Sequence, residues 1–269
     1  MPKVVFITGG SSGIGKAIGE YLQKKNCIVY GTSRTPEKYA KNSKFSLLKM
    51  EVTETESILT AINKLIEKEG RIDVVINNAG VGITGPMEET PVEEMRNAFE
   101  TNYFGPINLI NTVLPQLREQ HSGIIINVTS IAGYMGLPYR GIYSATKAAL
   151  EITTEAYSME IRQFGIKMVN VAPGEFSTNI AASRYHAPIL DESPYKKEYG
   201  ETLAIMNKHV DGGDDPIKMA EAIYAIIESK NPKIHYKVGA FLQKFSIALK
   251  RVLPDKVYEG MLLKHYNLK

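Results

Sequence analysis

The feature that most constrains this chain is an apolar run, Val4-Val5-Phe6-Ile7, leading directly into Thr8-Gly9-Gly10-Ser11-Ser12-Gly13-Ile14-Gly15. A strand-length run that breaks into a glycine-rich turn and then resumes with helical spacing specifies strand, tight turn and helix. Glycines at 9, 13 and 15 permit the sharp reversal and let a ligand approach the backbone closely. The helix that follows presents unpaired N–H groups and the positive end of its dipole, which suits a phosphate or pyrophosphate. The turn therefore reads as a dinucleotide cradle contacted through Gly9, Ser11, Ser12, Gly13, Ile14 and Gly15.

The same alternation continues along the chain. Strands are expected at 4–8, 28–32, 45–49, 73–77, 124–129, 167–171 and 233–238. Between them lie stretches of helical period, such as Ile58, Ala61, Ile62, Leu65 and Ile66. Strands alternating with helices predict a seven-stranded parallel sheet covered on both faces, an α/β doubly wound fold. Continuous apolar runs such as Val74-Val75-Ile76 suit strands buried on both sides. With no repeat, low-complexity tract or long linker, the 269 residues read as a single catalytic domain. Two regions stand apart. Residues 179–215 lack strong periodicity and read as a long connection acting as a substrate lid. The tail, 240–269, has apolar residues at 241, 242, 245, 248, 249, 252 and 253, a helical stripe ending near Pro254.

Composition narrows the class. Cys27 is the only cysteine, so no internal disulfide forms and a reducing compartment fits. Val4–Ile7 is too short, and too closely tied to the glycine turn, for a signal peptide. No apolar stretch approaches the roughly 20 residues of a membrane span, and a cytoplasmic location is expected. A net charge of +3 gives no argument for nucleic acid, but the charge is unevenly placed. From Lys230 to Lys269 nine Lys or Arg face Asp255 and Glu259, a net of +7 that leaves −4 for the remainder. Such a tail reads as a solvated helical face or as a peripheral membrane contact. The five histidines show no metal-ligand spacing, and no metal is expected.

The second strand should end near Thr32, where sites of this type hold the adenosine ribose. An acidic residue there bonds the 2′-hydroxyl and repels a 2′-phosphate. No Asp or Glu occurs from Tyr21 to Pro36; Ser33 and Arg34 stand there instead. A guanidinium can fork onto a phosphate, which favours NADP(H) over NAD(H). Further on, Tyr143 precedes Lys147 by four residues, placing both on one helix face. A free phenol, with a pKa of about 10, is a poor base at neutral pH, and a neighbouring cation favours its ionised form.

With these residues in hand, the chain resembles the short-chain dehydrogenase/reductase family from Lys3 to Val238. The resemblance rests on the turn at 8–15, Asn77-Asn78-Ala79-Gly80, Asn102, Ser130, Tyr143 with Lys147, and Pro173-Gly174 followed by Thr178. It implies a Rossmann fold and hydride transfer between a nicotinamide cofactor and an alcohol or carbonyl. Tyr143 would be the proton donor, Ser130 the hydrogen-bond donor to the substrate oxygen, and Lys147 the cation that also bonds the nicotinamide ribose. Asn102 would hold a water linking the lysine to solvent. Asn78, Ala79 and Gly80 join the cofactor contacts, as do Glu51 and Val52 near the adenine, where the family usually has Asp. Pro173 and Gly174 would shape the turn beneath the nicotinamide and Thr178 would bond its carboxamide. Pocket residues are expected among Ser130, Tyr134, Tyr143 and Phe176, with Ile83, Met135 and Leu137 beside them. Family members commonly pair through the long helices near the tyrosine, so a homodimer or homotetramer is the default. The stretches His235–Gly239 and Arg251–Asp255 resemble the branch that includes 17β-hydroxysteroid and retinol dehydrogenases, which implies an apolar alcohol or carbonyl substrate. The alternatives on this fold are a non-catalytic dinucleotide sensor and a lipid-surface binding protein. A sensor would not need the tyrosine, lysine and serine together.

Overall fold

A computed structural model describes residues 1–176, 184–211 and 213–268, with the side chains of 208–211 excepted. In chain order its elements begin with β1 (Val4–Ile7), α1 (Gly13–Lys24), β2 (Ile28–Ser33), β3 (Ser46–Lys49), α2 (Thr55–Glu69), β4 (Val74–Asn77) and β5 (Ile83–Thr84). Next come α3 (Val92–Phe99), a π-helical turn (Glu100–Phe104), α4 (Gly105–Gln120), β6 (Gly123–Val128), α5 (Gly141–Ile161) and β7 (Ile166–Pro173). The chain closes with β8 (Tyr185–His186), α6 (Lys196–Asp211), α7 (Ile217–Glu228), β9 (His235–Val238), α8 (Phe241–Val252) and α9 (Asp255–His265).

Seven strands form one parallel sheet in the order β3-β2-β1-β4-β6-β7-β9. All seven expected strands are in it. Because strand side chains alternate between faces, β1 feeds two cores. Val4 and Phe6 pack with Ile58 and Leu65 of α2 and Leu109, Val113 and Leu117 of α4. Val5 and Ile7 pack on the other face with Ile18 and Leu22 of α1 and Ile223 and Ile226 of α7. Burial on both faces explains why the strands read as continuous apolar runs. The strand order reverses between β1 and β4, so a crevice opens at their carboxyl ends, where open α/β sheets bind ligands.

Two features depart from the sequence reading. The segment read as an aperiodic lid contains the sixteen-residue α6. It is anchored by Tyr199, whose buried phenol donates to the carbonyls of Thr84 and Ala187. Just before α6, β8 pairs with β5 in a two-stranded sheet too short to leave a periodic signal. The second concerns α8, where the expected helical stripe is present but turned outward in this chain: Phe241, Leu242 and Val252 are 73%, 76% and 81% exposed. The face turned inward carries the buried Ile247 with half-buried Gln243 and Ser246. Gln243 is held there because its side-chain amide bonds both the backbone and the carboxylate of Glu175.

Candidate active site

The glycine turn is stitched to the end of β4. Thr8 Oγ1 accepts from the N–H groups of Asn78 and Ala79, both at 2.9 Å, and Asn78 Nδ2 donates to the carbonyls of Thr8 (2.9 Å) and Gly9 (3.2 Å). Gly9 has φ +66°, and a Cβ at Gly15 would collide with the Gly9 carbonyl and lie 2.5 Å from Asn78 Nδ2. Ser12 is the N-cap residue of α1, but its hydroxyl makes no capping bond, and no acidic residue stands in the first turn. The positive end of α1 is thus left uncompensated at the crevice. A cleft of about 570 Å³ opens here. It is lined at one end by Ser33, Arg34, Glu51 and Val52 and at the other by Tyr143, Lys147 and Pro173. An acceptor-free helix start, a backbone cradle that a side chain would fill and a cleft of this length fit a dinucleotide. The Arg34 guanidinium is 81% exposed, with Nε 3.9 Å from a Glu51 carboxylate oxygen.

α5 carries Tyr143 and Lys147 one turn apart, both buried, with the ammonium 5.9 Å from the phenol ring centre. Lys147 Nζ donates to the Val128 carbonyl at the end of β6 (3.1 Å). Gly80 forms the thin wall beside it: a Cβ there would sit 3.1 Å from Asn102 Oδ1 and 3.4 Å from Lys147 Nζ. Ser130 follows β6 by two residues, and its Oγ accepts from Ala132 N at 3.1 Å, which leaves its O–H to donate elsewhere. A second, smaller cavity of about 80 Å³ joins the cleft at Ile14, Tyr143 and Pro173 and is also lined by Ser130, Ile83, Gly174 and Phe176. Proposed cofactor and substrate residues therefore meet at one tyrosine.

The structure brings together all the expected residues it describes except three. Tyr134 does not line this cavity; its phenol donates to Glu151 Oε2 at 2.9 Å, pointing behind the site. Met135 lies beside the Tyr258 hydroxyl, and Leu137 packs into a small core with Tyr143. Thr178 lies outside the described residues. Asn102 sits in the π-helical turn, completely buried. Its side chain bonds the Val81 N–H (2.8 Å), the Val81 carbonyl (2.9 Å) and Thr146 Oγ1 (3.2 Å). That amide is spent on backbone and Thr146. The π turn has a local cause: Pro106 has no N–H to offer the Asn102 carbonyl four residues back.

Behind the site lies a polar network that the sequence reading missed. Glu151, one turn beyond Lys147 on α5, is buried and accepts from Thr129 Oγ1 and Tyr134, while His235 Nδ1 lies 2.8 Å from its Oε2. His235 Nε2 lies 2.9 Å from Glu155, the next turn on. Burial, with the Glu151 charge adding to it, pushes the Tyr134 phenol far above its ordinary pKa and keeps it a donor. Asn77, Asn127 and Thr154 continue the chain of bonds across β4 and β6 to α5 (2.8 Å each), and Asn170 Nδ2 donates to the Glu151 carbonyl. These bonds fix α5, and with it Tyr143 and Lys147, against the ends of β6 and β7. The one signal in the sequence was the four-residue spacing of Tyr143, Lys147, Glu151 and Glu155. Among the described residues no group of three or more His, Cys, Asp or Glu is arranged to hold a metal, and no helix is long and apolar enough to cross a membrane.

A doubly wound sheet with a glycine cradle and a Ser–Tyr–Lys constellation defines a nicotinamide-dependent oxidoreductase. The short chain dehydrogenase family matches residues 3–188, and the chain belongs to it, acting on CH–OH or carbonyl groups with NAD(P). It is 38% identical to 3-ketodihydrosphingosine reductase of Bacteroides thetaiotaomicron, over 100% of this chain and 99% of that one. It is 32% identical to the NADPH-dependent 3-dehydrocapnine reductase of Ornithobacterium rhinotracheale, over 96% and 95% of the two chains. Among solved structures, a short-chain dehydrogenase from Streptomyces avermitilis superposes with a TM-score of 0.79 at 33% identity, covering 97% of this chain and 98% of that one.

Proposed function

We propose that this protein reduces a ketone on a largely apolar, lipid-like substrate, or oxidises the matching alcohol, with NADP(H) favoured over NAD(H). The observation that carries this reading is the meeting of the nucleotide cleft and the small cavity at Tyr143, with Ser130 on one side and Lys147 on the other. When bound in the cleft, NADPH supplies the hydride to the carbonyl carbon. The chain's own groups handle the oxygen. Ser130 O–H donates to it, and Tyr143 gives it a proton as negative charge develops. Lys147, anchored on the Val128 carbonyl, keeps a positive charge beside the phenol. Asn102 holds Val81 and Thr146 in place, which fixes the wall that Gly80 forms next to the lysine. The relatives named for a 3-keto sphingoid base and for 3-dehydrocapnine support a ketone on a long chain, and the second is named for NADPH. The test follows NADPH and NADH oxidation with 3-ketodihydrosphingosine, steroid ketones, retinal and short aliphatic ketones. Turnover of a long-chain ketone with NADPH supports the reading, and binding of NADPH with no turnover of any carbonyl would favour the sensor instead.

The outward face of α8 favours a peripheral membrane contact as well. Its exposed apolar residues, Phe241, Leu242, Phe245 and Val252, are flanked by Lys244 and Arg251, the pattern of a helix that lies at a lipid interface. Gln243, on the opposite face, bonds Glu175 beside the small cavity, so this helix adjoins the substrate entrance. Vesicles containing phosphatidylserine should sediment the protein, and Phe241→Ser with Leu242→Ser should release it. Equal recovery with and without vesicles would leave that face to another partner. Exposed Phe104 near the start of α4, with Ile152 and Met159 one heptad apart on α5, supports self-association through these helices, to be read from mass in solution.

A further inference from the structure

The small cavity carries more positive charge than ketone reduction requires. Besides Ser130, Tyr143 and Phe176, it is lined by Arg140, Arg184 and Glu175. Arg184 begins the segment that pairs with β5. Its backbone neighbour Tyr185 donates to the Gly82 carbonyl at 3.0 Å, and its stem lies flat on Gly82, where a Cβ would sit 2.8 Å from Arg184 Cγ and 3.1 Å from Nε. Glycine at 82 therefore lets the guanidinium reach the cavity. There Nη1 is buried without a hydrogen-bond partner. Arg140 caps α5, with its guanidinium 5.3 Å from the Tyr143 ring centre. The two cations disfavour each other, and burial pushes Arg184 below its ordinary pKa. Glu175 is the one carboxylate lining the cavity among the described residues; it attracts Arg184 and also bonds Gln243, one negative charge against two positive. A guanidinium nitrogen buried with its donor unmet is costly to maintain. Its five donors in a fixed fork match an oxyanion rather than an amine or a hydroxyl.

We propose that Arg184, assisted by Arg140, binds an oxyanion carried by the substrate itself, so that the preferred substrate is a ketone with a carboxylate, sulfonate or phosphonate group a few bonds from its carbonyl. This inference rests on the reductase reading for its placement, because the ketone oxygen must lie at Tyr143 and Ser130 while the acid reaches Arg184. The apolar chain then extends from the cavity, and the acid sets the depth at which the carbonyl stops.

The test compares kcat/KM with NADPH for a medium-chain 3-oxo carboxylate, the 3-oxo sulfonate and 3-oxo phosphonate of the same length, and the neutral methyl ester of the carboxylate. At least one acid should exceed the ester by about ten- to a hundredfold, the worth of a charge-assisted hydrogen bond, and the ranking among acids identifies the anion. Arg184→Gln should bring the acid-to-ester ratio of kcat/KM down to near one while leaving NADPH affinity unchanged. A parallel measurement needs no turnover: calorimetric binding of an alkyl sulfonate, alkyl phosphonate and fatty carboxylate, against the alcohol of equal length, to the enzyme with NADPH. An anion should bind at least tenfold tighter than the alcohol. If the ester is reduced as well as every acid, the reductase reading stands and the anion site is refuted. If no ketone is reduced, the reductase reading falls and the calorimetry alone decides the anion site. Should Arg184→Gln fail to fold, the wild-type acid-to-ester ratio still decides the proposal. Loss of NADPH affinity in that variant would assign Arg184 to the cofactor and overturn the proposal.

Discussion

Replacing Arg34 by alanine should weaken NADPH binding about tenfold and leave NADH binding almost unchanged. The side chain stands just beyond β2, at the end of the cleft lined by Ser33, Glu51 and Val52. A hydrogen bond to a charged group contributes about 1.5–3 kcal/mol. Arg34 is 81% exposed, so water and salt screen the contact and place it at the low end of that range, near 1.5 kcal/mol or about tenfold in Kd. Glu51 makes the case sharper. Its carboxylate lies 3.9 Å from Arg34 Nε, close enough to compete with a 2′-phosphate for the guanidinium and to repel it. Two charges about 4 Å apart in water interact by about 1 kcal/mol. Glu51→Gln should therefore tighten NADPH binding by up to about fivefold, the opposite sign to Arg34→Ala. Titration of both variants with NADPH and NADH, followed by nicotinamide fluorescence at low salt and near 0.5 M salt, reads each number. The Arg34 effect should shrink at high salt, because the Debye length falls to a few ångströms. Equal losses for the two cofactors, or a loss independent of salt, would refute recognition of the 2′-phosphate by Arg34.

Tyr143→Phe should lower kcat by about 10²–10⁴-fold with NADPH affinity retained, since the ring stays and only the hydroxyl is lost; a variant keeping more than about a tenth of the wild-type rate would remove Tyr143 as the proton donor. Glu151→Ala leaves Thr129, Tyr134 and His235 without their shared acceptor, and each buried hydroxyl left unpaired costs about 1–3 kcal/mol. For a chain of this size the melting temperature should then fall by roughly 6–15 °C, and a shift under about 2 °C would show that the network does not hold α5. Hydrogen exchange of residues 184–207 should slow when NADPH and a ketone bind together, as expected of a segment that closes over the cavity and excludes water. Unchanged exchange at saturation would count against a lid.

The parts of the molecule legible in the sequence are those whose signal is local. The central strands β1, β4 and β6 are apolar runs because helices cover both their faces, and the glycine turn announces itself because its geometry permits little else at 9, 13 and 15. Tyr143 and Lys147 are neighbours through the helix repeat alone. What escaped detection depends on residues far apart in sequence. His235 meets Glu151 across 84 positions and Lys147 reaches Val128 across a sheet layer, contacts that no window along the chain contains. Arg184 was hidden for a second reason. A lone arginine in a polar segment has the composition of a solvated loop, and only Gly82 beneath it reveals that it is directed inward.

Two helices whose packing the sequence pattern does not show, α6 and α8, share one physical cause. Amphipathic patterns reveal a helix's orientation only when burial is driven by apolar area. In α6 the residues that anchor it include Tyr199 and Thr202, which are buried by hydrogen bonds to Thr84, Ala187 and Tyr266 as much as by their carbon surface. In α8 the docking contact is an amide: Gln243 satisfies the backbone N–H of Glu175 and would clash with any side chain at Gly174. Ile247, 1% exposed, is the apolar part of the same contact. The helix therefore turns Gln243 inward and its phenylalanines outward. The same choice puts an exposed apolar face on the helix whose opposite face contacts Glu175 of the cavity, so the orientation of α8 and the access route proposed for a lipid-like substrate would have a common origin.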